Sequence, residues 1–140
     1  LGWESIPVRL PVAPHLDEAK LRAVVEDEKA PIRARHTAAT ELVWLRRCRA
    51  GDAIDVACLR IDGARILLLP GELFVEYQLA AQTLRPDLFV AMAAYGDYAP
   101  DYIGTAIAYD QGGYETAPDS SLVAPGVENV LKDTIARLLR

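Results

Sequence analysis

The sequence is poor in the residues that most often hold metals or crosslink a small fold: it has two histidines and two cysteines in 140 residues. His15 follows a proline and His36 lies among arginines, and neither stands in an HxH or HExxH spacing. A complete zinc site within these residues is therefore not expected. Cys48 and Cys58 form neither a disulfide framework nor a CxxC pattern. Buried free thiols are the favoured interpretation, and a bridge between them is the alternative.

Long hydrophobic runs and basic patches are also lacking. The apolar runs are too short to span a bilayer, so no transmembrane segment is predicted. No basic stretch is interleaved with aromatic residues, which argues against nucleic acid as a partner. The net charge is −5, and residues 71–140 hold four basic residues against ten acidic ones. An acidic half of this kind suits cations, a metal or polar neutral ligands.

The length of the chain and the order of its predicted elements indicate one α/β domain over residues 1–140. Its elements follow the order β-α-α-β-β-α-β-loop-α, with a mixed sheet of about four strands packed with helices. Alternation over residues 4–10 predicts a strand, and Pro7 within it indicates either an edge strand or an extended entry into the domain. Asp62-Gly63 predicts a hairpin turn. The apolar run 88–94 predicts a strand covered on both faces, and residues 95–124 are expected to form a long functional loop.

The chain begins with Leu1 rather than with an initiator methionine or a signal peptide. We therefore expect it to be a piece of a longer protein. A functional site could then be divided between this piece and residues outside it.

A carboxylate directly follows one predicted strand. The apolar run from Leu67 ends at Pro70-Gly71, Glu72 comes next, and a helical pattern starts there. A side chain at the carboxyl end of a strand faces the crevice where α/β sheets bind ligands, and a helix N-terminus stabilises an anion. An ordinary first-turn glutamate explains the same pattern equally well.

Five of the six tyrosines lie between positions 95 and 114, in a segment rich in acids and free of Lys and Arg. Bulky phenols are unusual in a solvated loop. We single out Tyr102 and Tyr114, because a phenol can donate to a developing oxyanion or ligate a metal. Aromatic packing would explain any one of these tyrosines alone.

The Pro-Gly-Glu motif at 70–72, the helix after it and the spaced tyrosines resemble the neutral/alkaline non-lysosomal ceramidase family, best over residues 65–118. The resemblance implies the C-terminal part of the catalytic domain of a zinc-dependent amidohydrolase acting on an N-acyl amide such as ceramide. It implies zinc bound by Glu72, by Tyr102 and by two histidines earlier in the domain. Tyr114, twelve residues past Tyr102, would assist the oxyanion. Tyr98 is the other possible tyrosine ligand, and the twelve-residue spacing favours Tyr102.

The same resemblance implies a small-molecule or lipid amide substrate, an N-terminal remainder of the domain as partner, and an exported or periplasmic location. The isolated chain is then expected to be inactive and to bind zinc feebly, because two ligands rarely hold zinc. The alternative is a non-enzymatic module whose Tyr/Asp/Gly loop binds a saccharide or a polar headgroup. A structural subdomain without chemistry is the third possibility.

Overall fold

A computed structural model describes residues 1–96 and 100–140. The described part contains six strands and five helices, and confirms the α/β class and the predicted order of the main elements. The elements are β1 (Gly2–Val8), α1 (Glu18–Glu26), α2 (Ile32–Ala50), β2 (Ile54–Ile61), β3 (Ala64–Leu68), β4 (Glu72–Leu73), α3 (Glu76–Leu84), β5 (Phe89–Ala93), β6 (Tyr102–Ile103), α4 (Ala106–Gln111) and α5 (Val127–Leu138).

The main sheet has the strand order β1-β2-β3-β5. β1 and β3 flank β2 antiparallel, whereas β5 joins β3 in parallel. The predicted Asp62-Gly63 hairpin connects β2 and β3, with Asp62 at φ 48°. β1 is an edge strand, the first of the two alternatives that Pro7 indicated. Alternation along the strands therefore sets which side chains face the helices.

One face of the sheet forms the core with the helices. α5 packs on β1 and β2, and α3 packs on β5 and α5. The buried strand residues Val56, Cys58 and Leu67 belong to the same apolar cluster as Leu131 and Ile135 of α5. Burying such side chains contributes roughly 1.5–3 kcal/mol each, so this face holds the domain together.

The opposite face of the sheet is open in the described part of the chain. The strand pairing puts Trp3, Leu59, Ile66 and Phe89 on this side. Trp3 and Phe89 are 61% and 70% exposed. The prediction that the 88–94 strand is covered on both faces is therefore wrong. An apolar run alone does not distinguish an inner strand from the outermost one.

Two glutamines of α3 cover the outer edge of β5. Gln78 accepts a hydrogen bond from the Met92 N–H at 3.1 Å through Oε1. Gln82, one helical turn later, donates through Nε2 to the Val90 carbonyl at 3.0 Å. These amides take the place of the next strand on backbone groups that would otherwise be left without a protein partner.

The predicted loop 95–124 holds regular structure. β6 and the short helix α4 lie within it, and Asp101 forms a β-bridge with Ser121. The helix expected to start at Glu72 begins only at Glu76. In both places, pairing between segments distant in the sequence overrides the local pattern.

Three further observations concern the cysteines, the histidines and the helices. Cys48 and Cys58 are free thiols, Cys58 buried and Cys48 half-buried, and burial raises the pKa of both. His15 and His36 are exposed. No helix of the described residues combines the length and apolar character needed to cross a membrane.

Tyr77 ties α3 to the tyrosine-rich segment. Its side chain is fully buried, and its hydroxyl donates to the Gly104 carbonyl at 2.9 Å. Burial also raises the pKa of this phenol, so it stays protonated and remains a donor at neutral pH. Gly104 follows β6 directly, and the bond therefore fixes β6 against the helix layer.

We expect Tyr77→Phe to lower the free energy of unfolding by about 1–3 kcal/mol, because the buried Gly104 carbonyl loses its partner. The measurement is chemical denaturation of both proteins. Tyr114→Phe is the matched control, since Tyr114 is 69% exposed and should change stability little. Equal midpoints for wild type and Tyr77→Phe would contradict this role of the hydroxyl.

Candidate functional site

A two-strand parallel sheet brings Glu72 and Tyr102 together. β4 and β6 pair with Glu72 opposite Tyr102 and Leu73 opposite Ile103. The Glu72 N–H donates to the Asp101 carbonyl at 2.9 Å, and the Phe74 N–H donates to the Ile103 carbonyl at 3.1 Å. Residues opposite each other in a sheet point to the same side, so the carboxylate and the phenol share one surface.

Gly71 allows this pairing. It has φ +67°, and a Cβ at this position would lie 2.7 Å from the Asp101 carbonyl oxygen and 3.0 Å from Ile103 Cδ1. Only glycine combines that backbone conformation with that close approach. The Pro-Gly-Glu motif thus acts locally: it ends the run after β3 and sets Glu72 directly beside β6.

Two further phenols surround this pair. The rings of Tyr102 and Tyr114 meet edge to face, with centroids 5.9 Å apart and an interplanar angle of 71°. The Tyr95 hydroxyl donates to Glu72 Oε2 at 3.1 Å. Hydrogen bonding to Glu72, and then its charge, raises the pKa of Tyr95 and of Tyr102. Without a cation these phenols therefore stay protonated, as donors toward the carboxylate.

A partly buried hydrogen-bond chain holds the backbone of Tyr102. Ser121 donates through its hydroxyl to the Tyr102 carbonyl at 2.8 Å. The Tyr109 hydroxyl lies 2.8 Å from Ser121 Oγ, so Tyr109 donates to it. The Tyr102 N–H donates to the Ser120 carbonyl at 3.0 Å. Both the N–H and the carbonyl of Tyr102 are therefore held by hydrogen bonds.

The surroundings of the site are acidic. Loss of hydration at the carboxyl group, and then the charge of Glu72, raises the pKa of Asp101, although the residue as a whole is exposed. Burial followed by the charges of Asp101 and Asp119 raises the pKa of Glu41. Carboxylates that disfavour one another's ionisation gain most from a nearby cation. Glu72 and Asp101 thus lie close enough for the charge of one to affect the other, and a cation bound beside Glu72 would offset that effect.

The site residues supply part of a zinc site. A carboxylate and a phenol side by side are oxygen donors that fit a divalent metal, and the acidic field suits its charge. No group of three or more His, Cys, Asp or Glu able to hold a metal occurs in residues 1–96 and 100–140. A catalytic zinc takes three protein ligands, so further ligands would have to come from elsewhere.

The structure places the sequence candidates as follows. It brings Glu72, Tyr102 and Tyr114 together, while Glu72 lies in a strand rather than at a helix N-terminus. Tyr98, the other candidate tyrosine ligand, falls outside the described residues. No pattern in the sequence indicated the contact of Tyr95 with Glu72 or the role of Ser121.

An open depression of about 500 Å³ adjoins the site on the uncovered face of the sheet. Tyr95 and Gly96 form its boundary with the site. The other lining residues come from the sheet: Trp3, Ser5, Asp55, Ala57 and Leu68. The site thus continues into the open apolar face.

Two solved structures have a fold similar to that of this chain. Neutral ceramidase from Pseudomonas aeruginosa superposes with a TM-score of 0.54 at 16% identity, over 99% of this chain and 28% of that chain. A ceramidase complexed with C2 superposes with a TM-score of 0.54 at 19% identity, over 63% of this chain and 14% of that one. No family model and no curated protein matches the sequence.

The chain therefore has the fold of a part of the neutral ceramidases and spans under a third of their length. At these identities the similarity extends to the fold only.

We expect Gly71→Ala to separate β4 from β6, since the new methyl group meets the Asp101 carbonyl and the backbone is strained. The loss in unfolding free energy should exceed about 1 kcal/mol. Chemical denaturation measures the loss in unfolding free energy. The amide NMR shifts of Glu72 and Tyr102 report the separation of β4 from β6. Gly126→Ala is the matched control, because a Cβ there meets nothing within 4 Å. Unchanged shifts at both amides in Gly71→Ala would refute the requirement for glycine.

Proposed function

We propose that this chain is the C-terminal, metal-binding part of the catalytic domain of a zinc-dependent amidohydrolase acting on an N-acyl amide such as ceramide or a related lipid. The observation that carries the proposal is the pairing of Glu72 with Tyr102 on adjacent strands, with Tyr114 against Tyr102. The acidic surroundings and the fold shared with neutral ceramidases support it.

Glu72 and Tyr102 would hold the zinc ion together with ligands from a segment outside residues 1–140. When bound, zinc polarises a carbonyl and lowers the pKa of water. The anionic charge of Glu72 balances part of the charge of the cation. A cation held there would offset the effect of Glu72 on the pKa of Tyr102, and Tyr102 would then serve as a phenolate ligand.

Tyr114 is the proposed donor to the oxyanion that forms when an amide carbonyl is attacked. Its side chain is 69% exposed, so its hydroxyl is accessible to a substrate. Its ring rests on Tyr102, which limits its orientation. A preorganised donor of this kind stabilises charge that develops in the transition state.

The open face of the sheet supports the idea that the site is shared. Its apolar side chains lead to the boundary of the site at Tyr95 and Gly96. A segment that packed there would exclude water from the sheet and reach Glu72 and Tyr102. The ligands missing from the described residues would then come from that segment.

Zinc titration of the 140-residue chain tests the shared site. We expect binding weaker than micromolar that depends on Glu72, because two ligands rarely hold zinc. Glu72→Gln should weaken binding further, whereas Glu76→Gln, at the exposed first residue of α3, should not. Micromolar or tighter affinity for the chain alone would contradict a divided site.

The hydrolase activity is tested on the longer protein that carries this chain. Tyr114→Phe should lower kcat for an N-acyl amide by about 10²–10³-fold with little change in KM, as expected for loss of an oxyanion donor. Glu72→Gln should abolish turnover while the fold stays intact. Glu76→Gln, the control, should leave turnover unchanged. Full turnover by both Glu72→Gln and Tyr114→Phe would exclude the proposed mechanism.

A second candidate function is binding of a saccharide or polar headgroup without chemistry. The exposure of Tyr95 and Tyr114, at 73% and 69%, favours it, because accessible aromatic rings stack on such ligands. A glycan array separates the two functions. Specific binding that survives Glu72→Gln, without hydrolase activity in the longer protein, would favour the binding module.

A further inference from the structure

Tyr95 has a backbone conformation that its residue type disfavours. Its φ is +60°, in the left-handed region, where bulky side chains are rare. The Tyr95 N–H donates to the Gly71 carbonyl at 2.8 Å, and the Gly96 N–H donates to the Leu69 carbonyl at 2.9 Å. These two bonds fasten the turn after β5 to the segment that precedes Glu72.

The left-handed backbone conformation does not explain why position 95 is a tyrosine. Glycine or asparagine would adopt the same conformation with less strain. Packing does not explain it either, since the residue is 73% exposed. The specific contact that the side chain makes is the hydrogen bond from its hydroxyl to Glu72 Oε2 at 3.1 Å. Strain retained at such a position is typical of functional sites.

We propose that Tyr95 is a positioning residue that orients the Glu72 carboxylate for a metal ion. This inference rests on the proposed function. The phenol engages Oε2 and so restrains the rotation of the carboxylate, which leaves Oε1 to face the ligand. Partners that hydrogen-bond to a metal ligand in this way commonly raise metal affinity by about 10–100-fold.

The test compares wild type, Tyr95→Phe and Tyr95→Asn in the 140-residue chain. Zinc alone is titrated, and the NMR shifts of the Glu72 and Tyr102 amides report binding. Both variants should bind zinc about tenfold more weakly. The thermal midpoint should stay unchanged in Tyr95→Phe and stay equal or rise in Tyr95→Asn, since asparagine tolerates the left-handed conformation. Weaker metal binding without lost stability distinguishes positioning from a structural role.

Side-chain ¹³C relaxation of Glu72 without metal gives an independent measurement. Tyr95→Phe should increase the mobility of the Glu72 side chain. Unchanged mobility together with unchanged zinc affinity would overturn the inference. If Glu72→Gln weakens zinc binding and Tyr95→Phe does not, the proposed function stands and the role of Tyr95 is rejected. If Glu72→Gln has no effect on zinc binding, both are rejected. If no zinc binding is detectable, the mobility of Glu72 decides the role of Tyr95.

Discussion

The backbone pairing of β4 with β6 is the constraint on which the site depends. Two hydrogen bonds, from Glu72 to Asp101 and from Phe74 to Ile103, join segments thirty positions apart. They set a carboxylate next to a phenol through main-chain atoms, so the side chains need not hold each other in place. Each bond contributes only about 0.5–1.5 kcal/mol to stability. Their main effect is geometric.

Three sets of local contacts stabilise the pairing of β4 with β6. Gly71 removes the side chain that would block it, and Tyr77 fixes the end of β6 to α3 through Gly104. Ser121 and Tyr109 secure the Tyr102 carbonyl from the other side. The site is thus built on a rigid scaffold, although its phenols at Tyr95 and Tyr114 remain open to solvent. Rigid support with accessible functional groups is the usual arrangement in binding and catalytic sites.

Sequence patterns predicted the parts of the fold that local chemistry determines. The Asp62-Gly63 turn predicted the β2–β3 hairpin, because turn residues act over a few positions. The position of Glu72 was predicted wrongly as a helix start, since a two-residue strand is specified only by its distant partner. Tyr102 and Tyr114 were singled out by the density of tyrosines and by the resemblance to the ceramidase family. The contact of Tyr95 with Glu72 was missed, because it arises from a left-handed backbone that no pattern in the sequence announces.

The glutamines of α3 have a consequence for how this chain meets other molecules. An outermost strand with free N–H and C=O groups is a template on which a foreign strand can add, and an uncharged apolar strand such as β5 invites amyloid-like growth. Gln78 and Gln82 occupy the groups of Met92 and Val90 that such growth would use. Recruitment of another polypeptide by strand addition at β5 is thereby disfavoured.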